Sequence, residues 1–193
     1  MRTPIQPILG IADLKGFEFE NDGNQEISIT KDEMAIIIRN AKRLERLTSD
    51  ILEIARIEGG SMHLDIQQFD LHHVISPLVE EANNKIKGEG KDIEIHYSPS
   101  DLIMKGDKGR LAEVIRNLLD NAIKFTEKGS ISIEAGKGNS EASVTVKDSG
   151  CGIDVEVLAQ LFTKFVTKSY KGTGLGLFIS KSIIEAHGGR IWS

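Results

Sequence analysis

Gly59-Gly60 divides this chain into two regions whose apolar residues repeat with different periods, and no single element accommodates both. Before the glycines the period is seven. Ile37, Leu44 and Ile51 form one row, and Asn40, Leu47 and Ile54 form the other. Residues spaced this way line one seam of a helix, with a polar step at Asn40. Charges fill the other faces at Arg39, Lys42, Arg43, Glu45 and Arg46. Thr30 or Asp32 is placed to cap the start, and Gly59-Gly60 ends the helix. Such a seam needs a partner. The segment from Thr3 to Leu14, with Ile5, Ile8, Leu9 and Ala12, is the expected antiparallel neighbour, joined by a polar loop from Lys15 to Gln25. A hairpin this small buries too little by itself, so a homodimer through a four-helix bundle is the economical solution.

After the glycines the period falls to two. "HLDIQQFDL" reads as a strand leading into a helix at Asp70, and "DIEIHYS" alternates as a second strand. "GDKGRLAEVIRNLLDNAIKF" returns to helical spacing, with Leu111, Ile115, Leu118 and Ala122 inward and Asp107 as N-cap. "GSISIEAGKGNSEASVTVKDSG" reads as two strands around a Gly-Asn turn, with Ile131, Ile133, Val144 and Val146 facing the core. Helices are expected from about Val155 to Phe162 and from Leu175 to Ala186, then a last strand at "RIW". Helices on one face of a mixed sheet define an α+β sandwich. The expected organisation is a helical hairpin at 1–58, a hinge at 59–64 and a sheet domain at 65–193.

Three features of the sheet domain carry chemistry. Asn117, Asn121 and Lys124 lie at i, i+4 and i+7 on one helical face. They form either a plain solvent face or a site where an amide oxygen ligates Mg²⁺ and the lysine counters phosphate charge. Asp148 ends an apolar strand and is followed by Ser149-Gly150-Cys151-Gly152-Ile153. A carboxylate there caps a turn or accepts from a donor such as an adenine amino group. Gly172-Thr173-Gly174-Leu175-Gly176-Leu177 opens an apolar-faced helix, whose first N–H groups and dipole favour an anion. Lys164, Lys168 and Lys171 just before it are either solvated or a short lid over phosphates. Taken together and in this order, the three features point to a nucleotide.

The remaining composition excludes other classes. A net charge of -5 gives no electrostatic case for nucleic acid. No apolar run approaches the ~20 residues of a membrane span, so no membrane contact is expected. One cysteine, Cys151, fits a reducing compartment. The five histidines lack metal spacing, so no zinc site is expected.

The order and wording of these motifs resemble the ATP-binding catalytic domain of sensor histidine kinases, on the Bergerat nucleotide-binding fold. "NLLDNAIKFT" is similar to the family's asparagine box, "DSGCGI" to its first glycine box, "LFTKF" to its phenylalanine box and "GTGLGLFISKSIIEAHGG" to its later glycine boxes. "MRTPIQPILG" resembles the segment after the phosphoacceptor histidine, and residues 27–58 the second helix of the dimerisation module. The Arg-Thr-Pro start and the heptad helix favour this branch over Bergerat-fold chaperones, topoisomerases, mismatch-repair ATPases and serine kinases. A non-catalytic dimerisation or adaptor module is the other alternative.

The resemblance implies ATP and Mg²⁺ as ligands, with Asn121 on the metal and Asn117 and Lys124 at the phosphates. It implies Phe125 against the adenine, Asp148 on its amino group, and Gly150, Gly152 and Ile153 beside the ring. Gly172, Thr173, Gly174, Leu175, Gly176 and Leu177 would frame the triphosphate, with Lys168 as the lid lysine nearest the γ-phosphate. The family phosphorylates a histidine and passes the phosphoryl group to an aspartate on a response-regulator receiver domain. The motif His-Glu-x-Arg-Thr-Pro places the acceptor histidine ahead of residue 1, so this stretch is expected to bind Mg·ATP in the cytoplasm without phosphorylating itself.

Overall fold

The computed structural model describes residues 4–22, 28–99, 101–138, 141–167 and 172–193, apart from the side chains of 18–22. They form two compact units, residues 1–56 and 57–193.

The first unit holds α1 (Ile5–Asp22) and α2 (Lys31–Glu58). α1 continues through most of the loop expected from Lys15. The single Gly16 costs only about 1 kcal/mol inside a helix, and no strong breaker follows before Asn21-Asp22-Gly23. The start of α2 is a reciprocal capping box. Thr30 Oγ1 accepts from the Glu33 N–H at 3.2 Å, and Glu33 Oε2 accepts from the Thr30 N–H at 2.8 Å. Thr30, rather than Asp32, is therefore the cap. Those bonds, with Lys15 3.4 Å from Glu33, hold the Glu33 carboxyl below its ordinary range. On the seam, Asn40 turns its amide back to the Ile36 carbonyl at 2.8 Å. Leu44 and Ile51 remain exposed.

The second unit contains two sheets. β1 (Gln67–Asp70) pairs antiparallel with β3 (Ile103–Gly106). β2 (Asp92–Tyr97), β4 (Lys128–Lys137) and β5 (Ala142–Asp148) form a mixed sheet in the order β2-β4-β5, with β2 parallel and β5 antiparallel to β4. The short β3 escaped the sequence reading because four residues, "IMKG", carry too little alternation to count. Alternation in β4 buries Ile131 and Ile133 completely, each contributing about 1.5–3 kcal/mol, and Val144 and Val146 of β5 pack on the same core. The expected Gly-Asn turn is residues 138–139, of which Asn139, with Ser140 after it, lies outside the described residues. Its base closes with the Gly138 N–H on the Glu141 carbonyl at 2.8 Å.

α3 (His72–Glu89) and α4 (Lys108–Phe125) supply the other half of that core. Strand β1 hands over to α3 through Asp70, whose Oδ1 accepts from the His72 N–H at 3.0 Å and the Leu102 N–H at 3.2 Å. Asp107 caps α4 by accepting from the Arg110 N–H at 3.0 Å. Leu111, Ile115 and Ala122 are buried as expected, but Leu118 is only half-buried and Leu119 takes the core position. The inward face runs one residue further round than the four-residue reading placed it.

Two further differences concern the end of the chain. α5 spans Val155–Leu158 only. Beyond it the bonds shorten to i→i−3, as from the Gln160 N–H to Val157 and from the Thr163 N–H to Gln160, so the helix tightens into turns. α6 (Gly176–Ala186) follows, but "RIW" is not a strand. It lacks a ladder partner among the described residues, and β-propensity alone makes no strand. Instead the Arg190 guanidinium lies 5.6 Å from the Trp192 ring centre.

Candidate functional site

The C-terminal half of α4 is where the motifs meet. Asn117, Asn121 and Lys124 are all half-buried on it, as one helical face requires. Asn117 reaches α6, donating from Nδ2 to Ser180 Oγ at 2.9 Å. Gly176 closes on the same amide. A Cβ there would stand 2.3 Å from Asn117 Oδ1, so glycine is needed for contact rather than for flexibility. Lys124 Nζ sits 4.8 Å from the Phe125 ring centre, and Phe125 is itself 42% exposed. The Asn121 side chain has no hydrogen-bond partner among the described residues.

The end of β5 packs against the same helix terminus. Asp148 Oδ1 accepts from the Gly150 N–H at 2.9 Å, and the Cys151 N–H donates to the Phe125 carbonyl at 3.4 Å. A Cβ on Gly150 would meet that carbonyl oxygen at 2.4 Å. Gly150 is thus fixed by the approach of α4, while Gly152 is fixed by its φ of 71°. Asp148 itself is exposed. Ile153 is 49% exposed beside it.

The start of α6 carries no side-chain cap. Thr173 Oγ1 takes the Leu175 N–H at 3.3 Å, and the N–H groups of the first turn beyond it point out of the helix end. Leu175 itself is fully buried, backbone included, whereas Gly172, Thr173, Gly174 and Leu177 are half-buried. Gly174 lies against the backbone of Phe165, and Lys164 extends over the Phe178 ring at 4.9 Å. Lys168 and Lys171 lie outside the described residues.

Three supports were not read from the sequence. Lys91 Nζ donates to the carbonyls of Ile123 at 2.6 Å and Thr126 at 2.8 Å, closing the end of α4 on either side of Phe125. No local pattern signals this link. The Ser180 contact had a signal, because Ser180 follows Gly176 by one helical turn and shares its face. His187 is the third. Its Nε2 accepts from the Asp107 N–H at 2.9 Å and its Nδ1 lies 2.8 Å from the Ile183 carbonyl, so the ring pins the far ends of α4 and α6 together. A carbonyl accepts only, which assigns the proton to Nδ1.

An exposed aromatic residue and a carboxylate at one end, and amides near uncapped helix N–H groups at the other, are groups that suit a flat base joined to an anionic tail.

Residues 106–193 match the family described as histidine kinase-, DNA gyrase B-, and HSP90-like ATPase. The sensor protein SrrB of Staphylococcus aureus is 34% identical over 99% of this chain and 33% of its own length. The solved catalytic domain of histidine kinase ThkA is 34% identical, covering 68% of this chain and 86% of that one with a TM-score of 0.59. ThkA in complex with the response regulator protein TrrA covers 99% of this chain and 53% of that one at 28% identity, with a TM-score of 0.75. The chain spans between 11% and 33% of the length of the first curated relatives it matches.

Proposed function

Because this chain belongs to the sensor histidine kinases, we propose that it is the ATP-binding kinase core of a two-component signalling protein. The observation that carries the proposal is the convergence on α4: Gly150 packs on Phe125, Gly176 packs on Asn117, and Asn121 stands on the same helix between those two residues. Phe125, Ile153 and Asp148 take the adenine, with the carboxylate accepting from its amino group. Gly172, Gly174 and the first turn of α6 take the phosphates through backbone N–H groups, with Lys124 and Lys168 adding charge. Asn121 gives one oxygen to Mg²⁺, an ion that keeps waters and phosphate oxygens for its remaining positions and neutralises charge during phosphoryl transfer. No protein cage is needed for an ion that arrives with its nucleotide.

The γ-phosphate passes to a histidine and then to an aspartate of a response-regulator receiver domain. The ThkA complex with a response regulator supports that partner class. Three of the five histidines of this chain have other partners. His187 pins α4 to α6, His72 contacts Tyr97 at 3.1 Å, and His73 lies 3.4 Å from Asp70. The exposed Leu44 and Ile51 on α2 support a homodimer through the hairpin. Among the described residues no helix is long and apolar enough to cross a membrane. A site for ATP supports a cytoplasmic location, where ATP is supplied.

The test extends the chain upstream of Met1 by a helical segment ending in His-Glu and supplies ATP labelled at the γ-phosphate. Acid-labile label on the added histidine is expected. Label on a histidine of the original 193 residues would contradict the assignment, as would no transfer by an extended chain that binds ATP.

A further inference from the structure

Ser180 is 2% exposed and lies one turn after Gly176 on α6. Its hydroxyl accepts a proton of the Asn117 amide at 2.9 Å, and Gly176 approaches Oδ1 at the other end of that amide so closely that a Cβ on it would stand 2.3 Å away. Two residues of one helix thus fix the plane of a side chain on another. An unrestrained Asn amide rotates broadly about χ2, and its NH₂ group carries two donors. Ser180 uses one donor and leaves the second.

Resting on the nucleotide reading, we infer that Ser180 is a positioning residue for phosphate recognition. By holding Asn117 it keeps the second Nδ2 proton ready for a phosphate oxygen. It also sets the spacing between the metal-side amide of Asn121, one turn further along α4, and the open N–H groups of α6. The adenine end is built separately, from Phe125, Asp148 and Gly150, and does not depend on Ser180. The consequence is selective: loss of this hydroxyl weakens binding of the triphosphate and spares the base.

The experiment compares ATP with adenosine by NMR titration of the full chain in Mg²⁺, for wild type, Ser180→Ala, Ser180→Thr, Asn117→Ala and the Asn117→Ala/Ser180→Ala double variant. Ser180→Ala is expected to lose about tenfold in ATP affinity with adenosine affinity unchanged, the loss of one buried hydrogen bond. Ser180→Thr, which keeps a hydroxyl, is expected to retain the wild-type ratio of the two affinities. The double variant is expected to be no worse than Asn117→Ala, because both remove the same contact. An Asn117 side-chain amide that exchanges slowly in ligand-free wild type is expected as well. This last signal tests the contact even if Ser180→Ala does not fold. An unchanged ATP-to-adenosine ratio in Ser180→Ala, equal losses for both ligands, or additive losses in the double variant would overturn the inference. Wild type that binds neither ligand would instead remove the nucleotide reading on which it rests.

Discussion

The Phe165 N–H donates to the Gly174 carbonyl at 2.8 Å, and both residues hold left-handed backbone, with φ of 64° and 73°. A Cβ on Gly174 would lie 2.7 Å from the Phe165 carbonyl carbon and 2.9 Å from the Val166 nitrogen. Neither is the tip of a flexible side chain. The loop that precedes α6 is therefore shaped by its contact with the phenylalanine segment. Strained backbone of this kind collects at ligand clamps.

Replacing Gly174 with alanine is expected to destabilise the second unit by about 2 kcal/mol or more, from the positive φ and the backbone clash combined. Gly88→Ala is the control. Gly88 lies in α3 with open space around it, and alanine there is expected to stabilise by up to about 1 kcal/mol. Urea melts of the two variants read the contrast in sign.

Asp148→Asn separates the turn from the ligand. An asparagine carbonyl still accepts from the Gly150 N–H, so the β5 terminus and the melting temperature should be kept. The second carboxylate oxygen becomes an amide, which opposes an adenine amino group. Nucleotide affinity is expected to fall about 10- to 100-fold, as when a charge-assisted hydrogen bond is lost, measured by calorimetric titration.

Asp107 sets a pH dependence. Burial raises its carboxyl pKa, but the N–H groups of Arg110, Asp65 and Gly109 outweigh burial and hold it below the ordinary carboxylate range. A lowered folded-state pKa means that the unfolded chain binds the proton more tightly. The contribution is therefore complete above the ordinary value near pH 4 and is lost as pH falls through the lowered one. Asp107→Ala is expected to cost about 1–2 kcal/mol at pH 7, the worth of a helix cap, and progressively less below about pH 4. Denaturation curves at both ends of that range measure it.

Lys91→Met is expected to destabilise by about 1–3 kcal/mol, since the Ile123 and Thr126 carbonyls lose a charged donor at a largely buried helix end. Phe125 lies between those carbonyls, so ATP affinity should fall too. Chemical denaturation and a nucleotide titration of the same variant check both effects.

How much of this was legible in the sequence depends on the range of the interaction. Asp107 at the start of α4 and the inward alternation of Ile131 and Ile133 follow from neighbouring residues, and the structure shows both. The motif glycines were legible as positions but only partly as causes. The motif places Gly150 but does not show that a Cβ there would meet the Phe125 carbonyl. Contacts between residues distant in sequence left no local trace, as with Lys91 on the end of α4 and His187 on Asp107. The "RIW" segment failed for the opposite reason, since its local pattern was sound but no neighbouring strand pairs with it. α1 outran its expected end because a single glycine is a weak stop.

The central claim is that α4 presents Asn121 to a metal-borne nucleotide seated between Asp148 and the start of α6. Equilibrium dialysis of labelled ATP against the 193-residue chain tests it most directly, run with Mg²⁺, with EDTA, and with Asn121→Ala. One nucleotide retained per chain, with retention falling about tenfold or more in either of the last two conditions, is the predicted result. No retained ATP, or retention indifferent both to EDTA and to the loss of Asn121, would contradict the account.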